Sequence, residues 1–484
     1  MGIASGAAWM LLLRGADRAL GITSTVVLAR LLVPGDFGIV AMAMSVIALI
    51  ELGSAFSFDM AIIQRRDPTP DHYNTAWTMT LLFATVCAVA IALLAYPSGS
   101  FYNEPRLPPV MLALAFGTFL AGLENIGVVN FRRSMNFSRE FSFLFSKRIV
   151  GFVVTLALAV IFRSYWALVI GTLSRSAAGV VLSYLMEPYR PRLSFKARDD
   201  LVSFSGWMFL NNVLSVGLAR LPHFTVGRLS GSTWLGTYTV ASEIGTLPAT
   251  ELAAPVSRAV FPGYSRVQHD PTVLRQTFLD VLGATTAIAL PASVGLALVA
   301  APLIDVLLGD QWTNAVVLVQ IFALSGLAQS FGSNLGLVYL AFGRTRLMFV
   351  FAAIRAITLL ATIAWLYDAM GPAGAALSEA LAFVVPTLVS FFMLPRLMPI
   401  SCSAIASALW RPVVASLAMT GGLEAFRVSQ SWLAGAPAVA QLLVLVALGV
   451  VLYAVALGIL WAASGRPRGI ENVVVDRIRA LRRR

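Results

Sequence analysis

Five consecutive residues, Arg14-Gly15-Ala16-Asp17-Arg18, set three ionisable side chains inside an apolar segment that runs from Ser5 to Val33. Each charge held at bilayer depth costs about 2.5–3.5 kcal/mol on insertion scales, so three persist there only where they face protein, water or a charged ligand. On a helix Arg14 and Arg18 lie one turn apart with Asp17 beside them, and the stripe continues through Gly21 and Thr25. One wall of this helix is therefore polar and small, which suits a wet cavity. The alternative is that both arginines snorkel to a headgroup layer while Asp17 pairs with one of them.

Ionisable residues recur at depth along the chain: Glu51, Asp59, Glu124, Arg175, Arg220 with His223, Glu243, Glu251, Arg355 and Glu379. Arg175, flanked by Ser174 and Ser176, lies near the middle of its apolar run. Together Arg14, Arg18, Arg175, Arg220 and Arg355 would line a cavity of positive potential, and guanidinium groups suit bidentate binding of phosphate or carboxylate. Asp17 and Glu379 are the carboxylates placed to take a coupling proton or sodium ion. Other readings stay open. Arg175 and Glu379 would simply pair across the bundle, Glu51, Asp59 and Glu124 would be solvated at span ends, and His223, after Pro222, would be a local hydrogen-bonding residue.

The elements that hold these residues follow from composition. A chain of 484 residues with 58% hydrophobic and 12% charged residues and a mean hydropathy of +0.82 is an integral membrane protein, not a soluble domain. Apolar runs of about 20 residues give about fourteen spans, each long enough to cross a hydrocarbon core of roughly 30 Å as a helix. The fold class expected is an all-α polytopic membrane protein. The first run has no basic leader and reads as a permanent span. The fourth runs unbroken from Pro108 to Phe131, while the thirteenth, Pro412–Phe426, is short and carries Gly421-Gly422. Cys87 and Cys402 are the only cysteines, so no disulfide framework, thiolate metal site or redox cofactor is indicated.

The net charge of +12 would suggest nucleic acid in a soluble protein, but here the basic residues sit between spans and report orientation. Alternate loops carry Arg65 and Arg66; Arg132, Arg133 and Arg139; Arg190, Arg192, Lys196 and Arg198; Arg258, Arg266 and Arg275; Arg344 and Arg346; Arg396 and Arg411. Those loops, and with them both termini, are expected in the cytoplasm. The tail from Arg466 to Arg484 rests on anionic headgroups or is solvated.

The chain also repeats itself. Arg30-Leu31 is followed by Gly38 at the start of the second span, and Arg228-Leu229 is followed at the same interval by Gly236 at the start of the eighth. Gly171-Thr172 leads into Leu173-Ser174-Arg175 as Ala375-Ala376 leads into Leu377-Ser378-Glu379. Two six-span halves, residues 1–198 and 199–398, follow; six crossings return the chain to its starting side, so an axis along the membrane normal relates them. Two further spans, 399–463, and a basic tail, 464–484, complete the chain. No Walker-type loop, HExxH, CxxC or nucleophile elbow occurs, so neither ATP hydrolysis nor familiar hydrolytic chemistry is encoded.

The string Leu28-Ala29-Arg30-Leu31-Leu32-Val33-Pro34-Gly35-Asp36-Phe37-Gly38, followed by Ala61-Ile62-Ile63-Gln64-Arg65-Arg66, resembles the opening hairpin of bacterial polysaccharide-transporter flippases. Phe261-Pro262-Gly263-Tyr264-Ser265-Arg266-Val267 and the stretch from Pro302 to Trp312 resemble further landmarks of that family, and the likeness covers nearly the whole chain. The family belongs to the multidrug, oligosaccharidyl-lipid and polysaccharide exporter superfamily. The resemblance implies two six-helix bundles around a central cavity, with two extra C-terminal helices, in the bacterial inner membrane. It implies movement of an undecaprenyl-pyrophosphate-linked oligosaccharide between leaflets by alternating access, for exopolysaccharide, capsule or a related surface glycan. A polymerase and glycosyltransferases would be its pathway partners. Lipid flippases of the superfamily use first-span arginines with an acidic neighbour, and Arg14, Asp17 and Arg18 are similar in type and depth; Asn212 and Ser215 stand at the corresponding depth in the second half. The alternatives are a cation-coupled drug exporter, which should prefer an acidic cavity, and a membrane-embedded polymerase, which needs catalytic groups converging on a substantial periplasmic loop.

Overall fold

Backbone N–H and C=O groups find no water in hydrocarbon, so runs this apolar must satisfy them internally as helices. The computed structural model describes residues 3–51, 58–65, 67–198, 206–253, 264, 270–429 and 435–465, and among these are sixteen α-helices and no strand. Two compact units divide the chain, Met1–Thr239 and Val240–Arg484. The first holds α1 (Ile3–Leu31), α2 (Pro34–Ile50), α3 (Phe58–Gln64), α4 (Pro70–Tyr102), α5 (Leu107–Gly122), α6 (Val129–Arg133), α7 (Phe137–Phe162), α8 (Trp166–Met186) and most of α9 (Gly206–Gly245). The second holds α10 (Pro271–Leu298), α11 (Ala300–Leu307), α12 (Ala315–Ala341), α13 (Thr345–Met370), α14 (Pro372–Met393), α15 (Cys402–Ser429) and α16 (Ala438–Ala463).

Fourteen crossings fit this order if α2 with α3, and α5 with α6, make one each, α9 makes two, and the eight-residue α11 is a connector. Among the described residues nine helices are by themselves long and apolar enough to cross a membrane, or ten when the bent pair α5 and α6 counts as one. Local chemistry sets the boundaries. Pro34 opens α2 and the Asp36 carboxylate turns back to accept from the Val33 N–H (3.2 Å); the Asp270 carboxylate accepts from Thr272 and Val273 N–H at the start of α10 (2.9 and 3.1 Å). Gly231, at φ 79°, breaks α9 where the seventh span meets the eighth.

Several spans differ from their expected outlines. The fourth is not one helix: it bends by 63° between α5 and α6. Buried Asn125 organises the break, its backbone N–H donating to Ser183 Oγ (2.9 Å), its side-chain amide to the Tyr189 carbonyl (2.6 Å), and its Oδ1 accepting from Gly127 N–H (2.9 Å). Irregular backbone at this depth survives because each freed group has a partner. The thirteenth span is not short, since α15 runs 28 residues straight through Gly421-Gly422; a Cβ at Gly422 would stand 2.7 Å from Leu452, so the glycine brings α16 close instead of ending the helix. At 33 residues and about 1.5 Å per residue, α4 is some 50 Å long and projects beyond the hydrocarbon.

Each unit has its own packing. In the first, α7 and α8 meet at Gly151 and Gly171, where a Cβ on Gly171 would overlap Thr155 Oγ1 at 1.7 Å. In the second, Tyr264, Phe278, Leu282, Leu335, Val338 and Tyr339 form a buried cluster whose phenols are satisfied: Tyr264 donates to Asn334 Oδ1 (3.0 Å) and Tyr339 to the Ser390 carbonyl (2.6 Å). The last two spans belong to this unit. Val299 packs among Met419, Leu423 and Leu445, and Tyr453 donates to the Ala287 carbonyl at 2.7 Å.

Candidate functional site

Helix α1 meets α7 along Asp17, Gly21, Ser24 and Leu28, spaced three and four apart on one face. Gly21 leaves room for a guanidinium: a Cβ there would touch Arg148 Nη2 at 3.6 Å. Arg148, on α7, bonds Asp17 through Nε at 3.1 Å from Oδ1. One turn along, Gly151 brings α8 so near that a Cβ would lie 2.9 Å from Arg175 Cβ. Arg148 and Arg175 thus share a cleft of about 130 Å³ with Leu20, Ser24, Thr155 and Thr172. Their like charges repel, while Asp17 and Glu124 offset them. Glu124 rests against α8 at Gly179, where a Cβ would overlap it at 2.1 Å, and accepts from Lys147 Nζ at 2.8 and 3.1 Å.

A chain of charge results, running from Asp17 through Arg148 and Arg175 to Glu124 and Lys147. At about 100° per residue, Arg14 and Arg18 lie roughly 60° and 100° round α1 from Asp17, on the flank of the face that meets α7. Arg14 and Arg175 are exposed and make no ion pair among the described residues; Arg18 is half-buried. The Asp17–Arg148 pair leaves the two side chains 55% and 31% exposed, so it is not buried within the protein, and where water reaches such a pair it is worth about 0–1 kcal/mol. The stripe Arg14, Arg18, Gly21 and Thr25 adjoins the face that meets α7, with Gly21 nearest α7 and Arg18 farthest round.

The other expected site residues stand apart from this cluster. Arg220, half-buried on α9, acts on His223, which hydrogen-bonds the Ala219 backbone and meets the Tyr238 ring edge-on at 5.5 Å. Arg355 and Glu379 belong to the second unit, where Glu379 acts on Arg355 and the guanidinium lies 4.1 Å over the Phe383 ring. A cavity of about 300 Å³ opens there among Gln329, Ser333, Arg355, Thr387 and Ser390. The side chains of Asn212 and Ser215, most of Phe261–Val267 and the tail Arg466–Arg484 lie outside the described residues.

Two carboxylates expected at solvated span ends are placed otherwise. Glu51 accepts from Thr118 Oγ1 (3.1 Å) in a cavity of about 230 Å³ that also holds Cys87. Glu124 lines a second cavity of about 410 Å³ at the break of the fourth span, with Asp59, Arg132, Glu140 and Lys147. Arg132 bonds Glu140 there and stands 3.6 Å from Asp59, whose side chain is 43% exposed, as a span end should be. The depth reading passed over Lys147, Arg148 and Glu140. The signal was available, because Lys147-Arg148 lies inside the apolar run Phe143–Phe162.

The sequence profile of the polysaccharide biosynthesis protein family matches residues 27–317, more than half of the chain. The chain belongs to that family. Among its relatives, the lipopolysaccharide biosynthesis protein WzxC of Escherichia coli K12 is 26% identical over 420 residues, covering 85% of each chain. The teichuronic acid biosynthesis protein TuaB of Bacillus subtilis is 24% identical over 391 residues, 77% of this chain and 78% of that one. The succinoglycan biosynthesis transport protein ExoT of Rhizobium meliloti is 24% identical over 323 residues, 66% of this chain and 65% of that one. The fold is similar to that of the lipid II flippase MurJ in an inward closed conformation, with a TM-score of 0.76 at 16% identity over 94% of this chain and 100% of that one. Family and fold are those of a multi-pass transporter and not of an enzyme.

Proposed function

We propose that the chain moves an undecaprenyl-pyrophosphate-linked oligosaccharide from the cytoplasmic to the periplasmic leaflet of the bacterial inner membrane, in the synthesis of an exopolysaccharide, capsule or related surface glycan. The cluster on α1, α7 and α8 supports this reading. Among the described residues Arg148 and Arg175 line a cleft with no carboxylate in its wall, Asp17 pairing with Arg148 at its edge and Glu124 with Lys147 in the neighbouring cavity, while Arg14 and Arg18 stand on the flank of α1. A diphosphate spends no energy stripping lipid from such a cleft, and paired guanidiniums match its oxygens. A cation-coupled drug exporter would want the opposite sign.

In this reading Arg148 and Arg175 take the diphosphate, Arg14 and Arg18 guide it in, and Asp17 holds Arg148 while the cleft is empty. Arg220 and Arg355 add positive potential in their own surroundings, and Glu379 is the remaining carboxylate for a coupling ion. The polyprenyl tail stays in the bilayer. Both termini are cytoplasmic, and the polymerase and glycosyltransferases of the pathway act on either side of the transfer step. The test is leaflet transfer in vesicles containing purified protein and a lipid-linked oligosaccharide. Arg148→Ala and Arg175→Ala should each slow transfer at least tenfold at unchanged protein level, a loss of about 1.4 kcal/mol or more. Full transfer by both variants would remove the diphosphate site.

A further inference from the structure

A second cluster of charge lies outside the arginine cleft, at the break of the fourth span. Among the described residues the cavity of about 410 Å³ there is lined by three carboxylates, Asp59, Glu124 and Glu140, and two cations, Arg132 and Lys147. Both cations are engaged. Lys147 gives its ammonium to both Glu124 oxygens and lies 5.0 Å over the Phe143 ring. Arg132 bonds Glu140 through Nε, and its Nη1 stands 3.6 Å from Asp59. Three carboxylates against two cations leave one negative charge in the lining unmatched. It is felt most at Glu140, which is 4% exposed: Arg132 takes its Oε1, while Oε2 is buried with no hydrogen-bond partner among the described residues. A buried ionised oxygen left unpaired is among the costlier features a folded chain can carry, so the cavity is suited to a donor that brings positive charge.

The surroundings narrow the choice of donor. Asp59 is in the first turn of α3, Arg132 in the last turn of α6 and Glu140 in the first turn of α7, on the side of the membrane where Arg65, Arg133 and Arg139 gather. Basic residues at span ends mark a headgroup layer. The side chains of Asp59 and Arg132 are 43% and 41% exposed and form the mouth of the cavity, with Glu140 as its floor. An inorganic cation gathers oxygens and is repelled by a guanidinium among them, so Arg132 favours a ligand that carries an anion as well. A primary ammonium has three N–H donors in a compact group, enough for Glu140 Oε2 and Asp59 together, and methylation removes those donors and adds bulk. A phosphate on the same ligand would fall beside Arg132, whose Nη1 holds Asp59 only loosely. Phe58 and Phe143 supply apolar walls, and Met60, 56% exposed, offers its surface to acyl chains.

We propose that this cavity binds the phosphoethanolamine headgroup of a membrane phospholipid, with the ammonium on Glu140 and Asp59 and the phosphate on Arg132. The site is separate from the arginine cleft and does not depend on what the chain transports. The test measures the thermal midpoint of the full-length protein in detergent with phosphatidylethanolamine, phosphatidylcholine or phosphatidylglycerol of the same acyl chains added, and counts bound lipids by native mass spectrometry. Phosphatidylethanolamine should raise the midpoint several degrees further than the other two, because a ligand that binds only the folded state stabilises it. Equal shifts by phosphatidylcholine would overturn the ammonium contact, and a larger shift by phosphatidylglycerol would overturn the zwitterionic site. Glu140→Gln should abolish the preference. Asp59→Asn, at the exposed mouth and thus safe for folding, should lower the ratio of bound phosphatidylethanolamine to phosphatidylcholine about threefold. An unchanged ratio in Asp59→Asn would overturn the site even if Glu140→Gln fails to fold. Soluble glycerophosphoethanolamine should give no comparable shift, and a shift equal to the lipid's would overturn the membrane as its source. Should wild type move no lipid-linked oligosaccharide, the flippase reading falls by itself and these lipid measurements still decide the site.

Discussion

Asp17 and Arg148 are held together in the part of the first unit where cations are in excess, and the pair is too wet to be a structural anchor. Exposed pairs contribute about 0.2–1 kcal/mol, so an incoming diphosphate that makes two charge-assisted bonds displaces a monodentate carboxylate readily. Asp17 then acts as a competitor for the site. Replacing it should strengthen binding and not weaken it. Asp17→Asn is expected to bind undecaprenyl pyrophosphate about two- to fivefold more tightly, by quenching of an intrinsic or attached fluorophore, with slower transfer at saturation because release is held back. Weaker binding by Asp17→Asn would assign the carboxylate to ion coupling instead. The deep arginines and Asp17 were legible in the sequence because charge stands out at membrane depth. Arg148 was not singled out, although it lies inside the apolar run Phe143–Phe162, because it follows the basic loop Arg132–Arg139 closely; its contact with Asp17 sets it apart from that loop.

The long helices were legible as continuous apolar runs, and their breaks were not. The fourth span keeps its hydropathy from Pro108 to Phe131, so nothing in the average signals the 63° bend. The decision lies in Asn125 and Gly127. Gly127 admits the side chains of Glu187 and Tyr189, its Cβ position lying 2.5 Å from Glu187 Cγ, and Asn125 supplies hydrogen bonds where the helix ladder is interrupted. A polar residue two positions before a glycine is a local cue, but its meaning depends on Ser183 and Tyr189, which arrive from far along the chain. Asn125→Ala would leave the buried Gly127 N–H without this partner, while the Tyr189 carbonyl keeps only its bond from Arg190 Nη1. Such groups cost about 1–3 kcal/mol, so the thermal midpoint in detergent should fall by several degrees. An unchanged midpoint would mean that the bend is held by packing alone. Because the break lines the cavity of Glu124 and Lys147, the same change should also loosen the ion pair between them.

At the scale of the molecule, the repeat offset of 198 residues was legible in the sequence, but compactness divides the chain at Thr239, not where the similarity begins again. The reason is physical. The first segment of α9 docks on α4, where Gly227 admits Tyr102 and Phe224 stacks on the same ring at 6.0 Å, so the seventh span is packed with the first unit although it starts the second repeat. Direction of transport depends on one further property, which side of the membrane the loops occupy. Arg190, Arg192 and Lys196 follow α8, whereas the stretch after α11 carries Asp310 and no basic residue until Arg344, beyond the end of α12. Retention of positive charge in the cytoplasm would put the first loop inside and the second outside. Lys196 and Thr313 are both exposed, so each can be replaced by cysteine without disturbing a core. In a Cys402→Ser background, an impermeant maleimide applied to intact spheroplasts should label Thr313→Cys and leave Lys196→Cys untouched until the membrane is permeabilised. The reverse pattern would invert the chain. It would require a flippase of this fold to load from the wrong leaflet, so this labelling decides whether the arginine cleft fills from the side that the proposed transport needs.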